Sequence, residues 1–278
     1  MLTAAVGSFY WFVTKDALPV FNAKSVAVLP FDNFSDSNEN SYFSEGLTSE
    51  VIFQLSKVAD LRVISRQSVL RYQDVPIDHQ KSLNEIGREL NVAAILESSV
   101  QRIDKRVKII TVLYDARKNK RIWGASYDRE MKDIFAIQSD VAEQIATALK
   151  ARLSADERAS IQQKPTESLV AYDLYLRGWG LYQLYRKEEN EKAIDLFKQA
   201  LEADPKFALA YTGLADAYIE RVQRFHGEDF WSDSAIDLCQ RAVALDPKEV
   251  RSYTELARAS STRVGMRERM SQFARRSN

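Results

Sequence analysis

The sequence predicts an α/β fold with a mixed sheet and covering helices, followed by an all-α array of helical repeats. Two observations carry this. Between Lys24 and Leu153, short β-branched runs alternate with helix-periodic stripes and then give way to three consecutive strand-like segments. Beyond Ser168 the sequence repeats itself: "AIDLFKQALEADP" (Ala193 to Pro205) returns as "AIDLCQRAVALDP" (Ala235 to Pro247), an offset of 42 residues that also carries Tyr211, Leu214 and Ala215 onto Tyr253, Leu256 and Ala257.

The bulk composition agrees. With 278 residues, 45% hydrophobic and 28% charged, the chain has apolar material for two modest cores. Basic and acidic residues balance at 39 each, so no global field draws it to nucleic acid. The single cysteine, Cys239, can form no internal disulfide. The opening "MLTAAVGSFYWFV" has no charged side chain and ends in Phe9, Tyr10, Trp11 and Phe12, like an interfacial aromatic belt. It is shorter than the roughly 20 residues needed to span a bilayer. Residues 1–23 therefore read as the outer end of a membrane anchor, the alternative being an apolar helix packed on the protein itself.

Residues 24–153 form the first expected domain. "SVAVLPF" (Ser25 to Phe31) is a strand stopped by Pro30, and Leu47, Val51, Leu55 and Val58 mark a helix after it. "LRVIS" (Leu61 to Ser65) is a second buried strand, and Ser82 with Glu85 has capping-box spacing ahead of a short helix containing Ile86 and Leu90. Val92 to Ile103, Arg106 to Asp115 and Arg121 to Asp128 predict an antiparallel meander turning at Asp104-Lys105 and at "ARKNK". Ile137, Val141, Ile145 and Leu149 mark an amphipathic helix from about Ile134 to Leu153.

The loop between the first strand and helix, "DNFSDSNENSYFSEG", contains no phosphate cradle. A cradle needs glycines for close backbone approach and usually a lysine, whereas Asp32, Asp36, Glu39 and Glu45 repel an anion. Their spacing also differs from a calcium loop. Asp, Asn and Ser are expected to bond local backbone and end the strand.

"SVAVLPFDNFSDSNENSYFSEGLTSEVIFQLS", "LRVISRQSV", "IGRELNVAAILESSVQR", "RVKIITVLYDA", "IWGASYDRE" and "DIFAIQSDVAEQI", in that order, resemble the TolB amino-terminal-like domain. Ser98 departs from the Gly of that family's pattern. This module is joined in bacteria to membrane-anchored adenylate cyclases, CadC-type winged-helix regulators and some serine/threonine kinases. The resemblance implies an interaction or sensing module without catalytic residues.

Residues 154–168, polar and containing Pro165, read as a linker or a frayed helix end. In residues 169–278, Ala193, Phe197, Ala200 and Pro205 fall where a tetratricopeptide repeat has Ala, Phe, Ala and Pro, and about two and a half units resemble that family. The usual period is 34 residues. The eight extra residues are expected to protrude as a loop around Gln223 to Trp231, and "STRVGMRERMSQFARRSN" to form a basic tail.

Helix A of the first unit has Leu174, Gly178, Leu181 and Tyr185 on one face and Tyr172, Tyr175, Trp179 and Tyr182 on the other. The resemblance, with Gly178 at the repeat's Gly position, places that aromatic stripe on the concave, ligand-facing surface. It nominates Asp216, Glu220, Arg251 and Arg258 on the helices that follow. Tyr and Trp suit a binding surface because they give rigid contact area with a polar tip. The stripe could equally pack against the α/β domain.

No catalytic arrangement is recognisable. His79 and His226 lie far apart, His226 near Glu228 and Asp229 lacks the ligands zinc requires, and Cys239 falls where Phe197 sits one unit earlier, a core position. No catalytic triad order or nucleophile elbow can be named. The expectation is a non-catalytic scaffold or sensor, without cofactor or metal, anchored in a bacterial inner membrane with its bulk in the periplasm, cytoplasmic placement being the alternative. Its expected partners are a protein segment in the repeat groove and, through the N-terminus, a membrane. The competing readings are the regulatory remnant of an adenylate cyclase or winged-helix regulator, and a nucleotide-binding enzyme built on the first domain.

Overall fold

In a computed structural model of the chain, the described residues are 22–35, 38–73, 81–225 and 230–276. The expected membrane anchor falls almost wholly outside them, as do the loop at His226 and residue His79. No helix among the described residues is long and apolar enough to cross a membrane.

The α/β portion begins with β1 (Ser25–Val28) and β2 (Asp32–Asn33), separated by Pro30. Helix α1 (Asn38–Ser56), β3 (Arg62–Val63), the single-turn α2 (Arg66–Val69) and α3 (Leu83–Leu90) follow. The meander is β4 (Ala94–Ile103), β5 (Arg106–Asp115) and β6 (Lys120–Glu130), and α4 (Ile134–Ala148) closes this portion. The strand order is β3-β1-β4-β5-β6, with β2 continuing the pairing on β4 past β1. Pairing is parallel for β1 with β3 and β4 and for β2 with β4, and antiparallel through β4, β5 and β6. The mixed sheet is thus the one the sequence predicts.

Turn chemistry fixes the meander. Asp104 and Asn119 take left-handed backbone (φ 51 and 50), which short polar side chains tolerate best after glycine. Ser82 and Glu85 form the anticipated capping box, each bonding the other's backbone N–H. Strand alternation divides the core: Val26, Val28 and Leu96 face α1 and α4, while Ala27 and Ile95 face Ile64, Val69, Ile86 and Leu90 on the other side.

One expectation about the middle of the chain changes. The supposed linker contains helix α5 (Ala155–Gln162), started by a second capping box between Ser154 and Glu157. It is pinned to the α/β portion, since Ser139 Oγ donates to the Ile161 carbonyl at 2.9 Å and the Ala59 N–H donates to Glu157 at 2.8 Å. One buried side chain, Ile161, anchors it, so no apolar period betrayed it.

The remainder is helical: α6 (Leu169–Tyr182), α7 (Lys187–Ala203), α8 (Ala208–Phe225), α9 (Phe230–Leu245) and α10 (Val250–Arg276). The expected protruding loop is reduced, because α8 runs to Phe225 and α9 starts at Phe230, leaving only residues 226–229 between them. The extra length goes into helix, held by the Trp231 ring packing edge-on against Tyr218 at 4.6 Å. The basic tail is also helical through Arg276, continuing α10 without a break.

Helix α1 is the middle layer of the molecule. One side packs on the sheet through Leu47, Val51 and Leu55, and the other is crossed by α6. The crossing is built on two glycines. A Cβ on Gly46 would lie 2.1 Å from the Leu176 carbonyl oxygen, and one on Gly180 would lie 2.1 Å from that of Tyr42. Each carbonyl occupies the space of the side chain the opposite glycine lacks, an approach suited to Cα–H···O contacts. In consequence a single apolar cluster runs from Val26 in β1 through Phe43 and Tyr175 to Ala259 in α10.

Alanine at Gly46 or Gly180 should therefore force the helices apart and cost about 2–4 kcal/mol. Alanine at Gly265, where nothing lies within 4 Å, should be neutral or stabilising by up to about 1 kcal/mol through helix propensity. Denaturant midpoints of the three variants check this, and equal midpoints for all three would refute the crossing.

Candidate functional site

Helix α6 begins at Ser168, whose side chain accepts from the Ala171 N–H. From this start Tyr172, Tyr175, Trp179 and Tyr182 fall on one face, and successive ring centroids lie 6.1, 6.2 and 5.2 Å apart. The stripe is continuous, but its members sit at different depths.

Tyr172 is fully buried. Its hydroxyl and the Gln138 side chain of α4 exchange hydrogen bonds at 2.9 and 3.0 Å, and its ring lies 4.5 Å from Phe135. It belongs to the junction with α4 and offers no surface to a partner, which corrects its nomination. Tyr175 is 1% exposed, and its hydroxyl donates to Glu50 of α1 at 2.9 Å. Arg251 of α10 reaches the same point: it pairs with Glu50, donates to the Tyr175 hydroxyl at 3.0 Å and to Glu249 at 3.2 Å, and lies 3.5 Å over the Phe53 ring. Burial pushes the Tyr175 phenol well above its ordinary value, while the surrounding carboxylates and hydroxyl hold the Arg251 guanidinium charged despite its own burial.

Further along the stripe, Tyr182 donates to Asp216 of α8 at 2.9 Å, and Arg258 pairs with both Asp216 and Glu255. Burial pushes the Glu255 carboxyl up to about 7. Glu220, the other acid on α8, is 3% exposed and turned to Arg224 at 2.5 Å on its own helix. Its carboxyl is raised by burial and lies outside the cleft, a second correction.

A cleft of about 350 Å³ opens between α6, α8 and α10. Six nominated residues line it: Tyr175, Trp179, Tyr182, Asp216, Arg251 and Arg258. Trp179, half-buried at the centre of the stripe, supplies an exposed aromatic edge. Gly213 floors the cleft, where a Cβ would meet the Phe197 ring at 2.7 Å. Sequence reasoning missed Glu50, Glu249 and Glu255. Glu255 lies one helical turn before the nominated Arg258, a spacing that could have flagged it, whereas Glu50 comes from α1 and nothing local connects it to the repeats. Of the charged residues lining the cleft, Asp216 and Glu255 face Arg251 and Arg258, two acids against two guanidinium groups, while Glu50 and Glu249 lie buried behind Arg251.

A broader depression of about 1230 Å³ lies on the opposite face of the sheet, beside the β1–α1 loop, with Phe34, Ile110, Tyr114 and Glu97 among its lining residues. The loop ends the strand as its composition predicts: the Ser35 N–H donates to Asn33 Oδ1 at 3.0 Å, the Phe31 N–H donates to Thr48 Oγ1 at 3.0 Å, and Ser44 Oγ donates to the Phe31 carbonyl at 3.1 Å. Glu45, at the edge of this loop, instead sits on α1 buried against Arg66. Among the described residues no three His, Cys, Asp or Glu side chains gather as a metal site. Cys239 is a buried free thiol pushed up to about 12 by burial.

No family model matches the chain. A relative from Rhizobium meliloti (strain 1021) named "Putative adenylate cyclase 3" is 35% identical over 204 residues, 73% of this chain and 34% of that protein. A match of that length cannot be contained in either half alone. The chain spans about a third of this curated relative. Similar solved structures include lipoprotein GNA1162 from Neisseria meningitidis (20% identical, 44% of this chain and 96% of that one, TM-score 0.35) and TolB from Acinetobacter baumannii (16%, 45% and 28%, TM-score 0.34). The LpoB C-terminal domain from Escherichia coli is another (16%, 44% and 91%, TM-score 0.31). All three scores lie below 0.5.

Two outcomes test the geometry of the cleft. Arg251→Met strands the Glu50 carboxylate in the interior and should cost about 3–5 kcal/mol, most of it restored by adding Glu50→Gln. For Glu255, a folded-state value of about 7 against 4.5 when unfolded means that its contribution is fully present below about pH 4.5 and is lost as pH rises through 7. The Glu255→Gln variant should lose less stability than the parent between pH 5 and 7.5, measured by urea midpoints. Parallel curves would refute the assignment.

Proposed function

We propose that the chain is a non-catalytic protein-interaction or sensing module, and that the cleft between α6, α8 and α10 holds an extended segment of a partner protein. The carrying observation is the convergence of six residues nominated from sequence, drawn from three helices, on one cleft. The helical array, residues 169–278, acts in this reading as a short tetratricopeptide-like groove whose aromatic stripe is the contact surface. The α/β portion, residues 24–153, serves as a TolB-like platform with the segment at 154–168 between the two.

The proposal extends to placement: the chain is attached to a bacterial inner membrane through residues 1–23, its bulk in the periplasm. The second reading, a regulatory portion of a longer signalling enzyme, rests on the cyclase-named relative of which the chain spans 34%. The readings converge in making this chain a surface that recognises, with the reaction, where there is one, carried out elsewhere.

Photo-crosslinking in cells should separate groove from bulk surface. A benzoylphenylalanine placed at Trp179 is expected to capture a discrete partner, and the same group at exposed Glu202 on α7 is not. Identical products from both positions would remove the cleft from the function. Cyclic AMP made by the purified 278-residue chain from ATP would overturn the non-catalytic reading.

A further inference from the structure

The sheet ends on one side at β6, which has no strand beyond it among the described residues. β6 is one of the longest strands, 11 residues, against two for β3 at the opposite edge. Natural sheets usually blunt so long an edge, because its unpaired N–H and C=O groups invite another strand.

The direction of those groups follows from the ladder. The Met131 N–H donates to the Lys105 carbonyl at 2.8 Å, continuing the β5–β6 register. Amides alternate sides along an antiparallel strand. The odd-numbered residues above the bulge, Ala125, Tyr127 and Arg129, therefore turn their backbones toward β5, and Gly124, Ser126 and Asp128 turn theirs outward. Two side chains confirm it by reaching around the edge: Arg121 Nη2 donates to the Gly124 carbonyl at 3.2 Å, and Arg129 Nη1 lies 3.4 Å from the Asp128 carbonyl. Among the described residues, two of the three outward carbonyls, those of Gly124 and Asp128, are met by the strand's own arginines.

Charge at this edge is one-sided. Its acids are already engaged, Asp128 by Arg106 at 2.6 Å and Glu130 by Lys132 at 2.9 Å. Lys120, Arg121 and Arg129 have no carboxylate partner among the described residues, and all three are exposed. Beneath them Trp123 and Tyr127 keep the strand on the core, Tyr127 bonding Asp140 of α4, so the edge is held rigid.

We infer that β6 is a strand-addition site for an extended, acidic segment of a partner, whose backbone pairs with Gly124, Ser126 and Asp128 while its carboxylates draw off Arg121 and Arg129. This site is separate from the cleft between the helices and does not depend on that reading. Positive charge here also disfavours a second copy of β6, which would bring Arg121 and Arg129 of both chains together.

The test uses the full chain and a fluorescein-labelled decapeptide of alternating Thr and Glu, with a Thr-Lys decapeptide as control. The Thr-Glu peptide should bind, weaken as salt rises, and slow hydrogen exchange at the amides of Gly124, Ser126 and Asp128. R121E/R129E should weaken it by about tenfold or more. S126P, which removes an outward N–H without breaking the β5 ladder, should abolish binding while the helical circular dichroism signal is kept. Equal binding of the Thr-Lys peptide, no binding, protection elsewhere on the chain, or R121E/R129E and S126P binding as the parent does would overturn the inference. Concentration-dependent dimers protecting the same amides without peptide would overturn it too, making a second copy the occupant.

Discussion

Where α1 and α6 cross, two glycines let backbone touch backbone. Everything beyond the crossing inherits its position from that contact. Because α6 rests directly on α1, Tyr175 reaches Glu50, and because Tyr175 and Glu50 are fixed, Arg251 of α10 has one place to go. The cleft is lined by the helical portion alone, yet Glu50 of the α/β portion orients the arginine and the phenol at one end of it. A helical array merely tethered to an α/β domain would lack the carboxylate that orients its last helix.

The polar groups at this junction explain how α1 can be buried on two sides while carrying Ser44, Thr48 and Glu50. Buried hydroxyls and acids are tolerated when each finds a partner. Thr48 closes the β1 end, Ser44 holds the Phe31 carbonyl, and Glu50 takes both a phenol and a guanidinium. Such ionic contacts are poor sources of net stability but strong sources of register, since any other arrangement leaves a charge stranded. The apolar cluster gives the stability, and the ion pairs select the geometry.

What the sequence revealed follows from the range of each interaction. The mixed sheet, the meander, the positions of its turns and the Ser82 capping box are decided within a few residues or by strand alternation, and they were legible. The helical repeats were legible because an offset of 42 residues is written into the chain twice. Six of eight nominated residues meet in one cleft: Tyr175, Trp179 and Tyr182 share a face through helical spacing, whereas Asp216, Arg251 and Arg258 were nominated only through the repeat resemblance. Tyr172 failed because nothing in a stripe of aromatics tells which end runs under a neighbour, and Glu220 because Arg224 one turn on claims it. The burial of both sides of α1 was invisible to a pattern that seeks one apolar stripe. Its clue was the small residues Gly46 and Ser49 on the back of the helix, meaningful only once α6 is known to lie there.

Glu50 and Arg251 are 201 positions apart in the chain. Until α6 has left the ribosome the outer face of α1 has no cover, and until α10 has followed it Glu50 has no cation. The α/β portion must therefore wait, incompletely sealed, while the helices are made, which makes it a natural client for a holding chaperone and makes loss of α10 damaging at the far end of the fold.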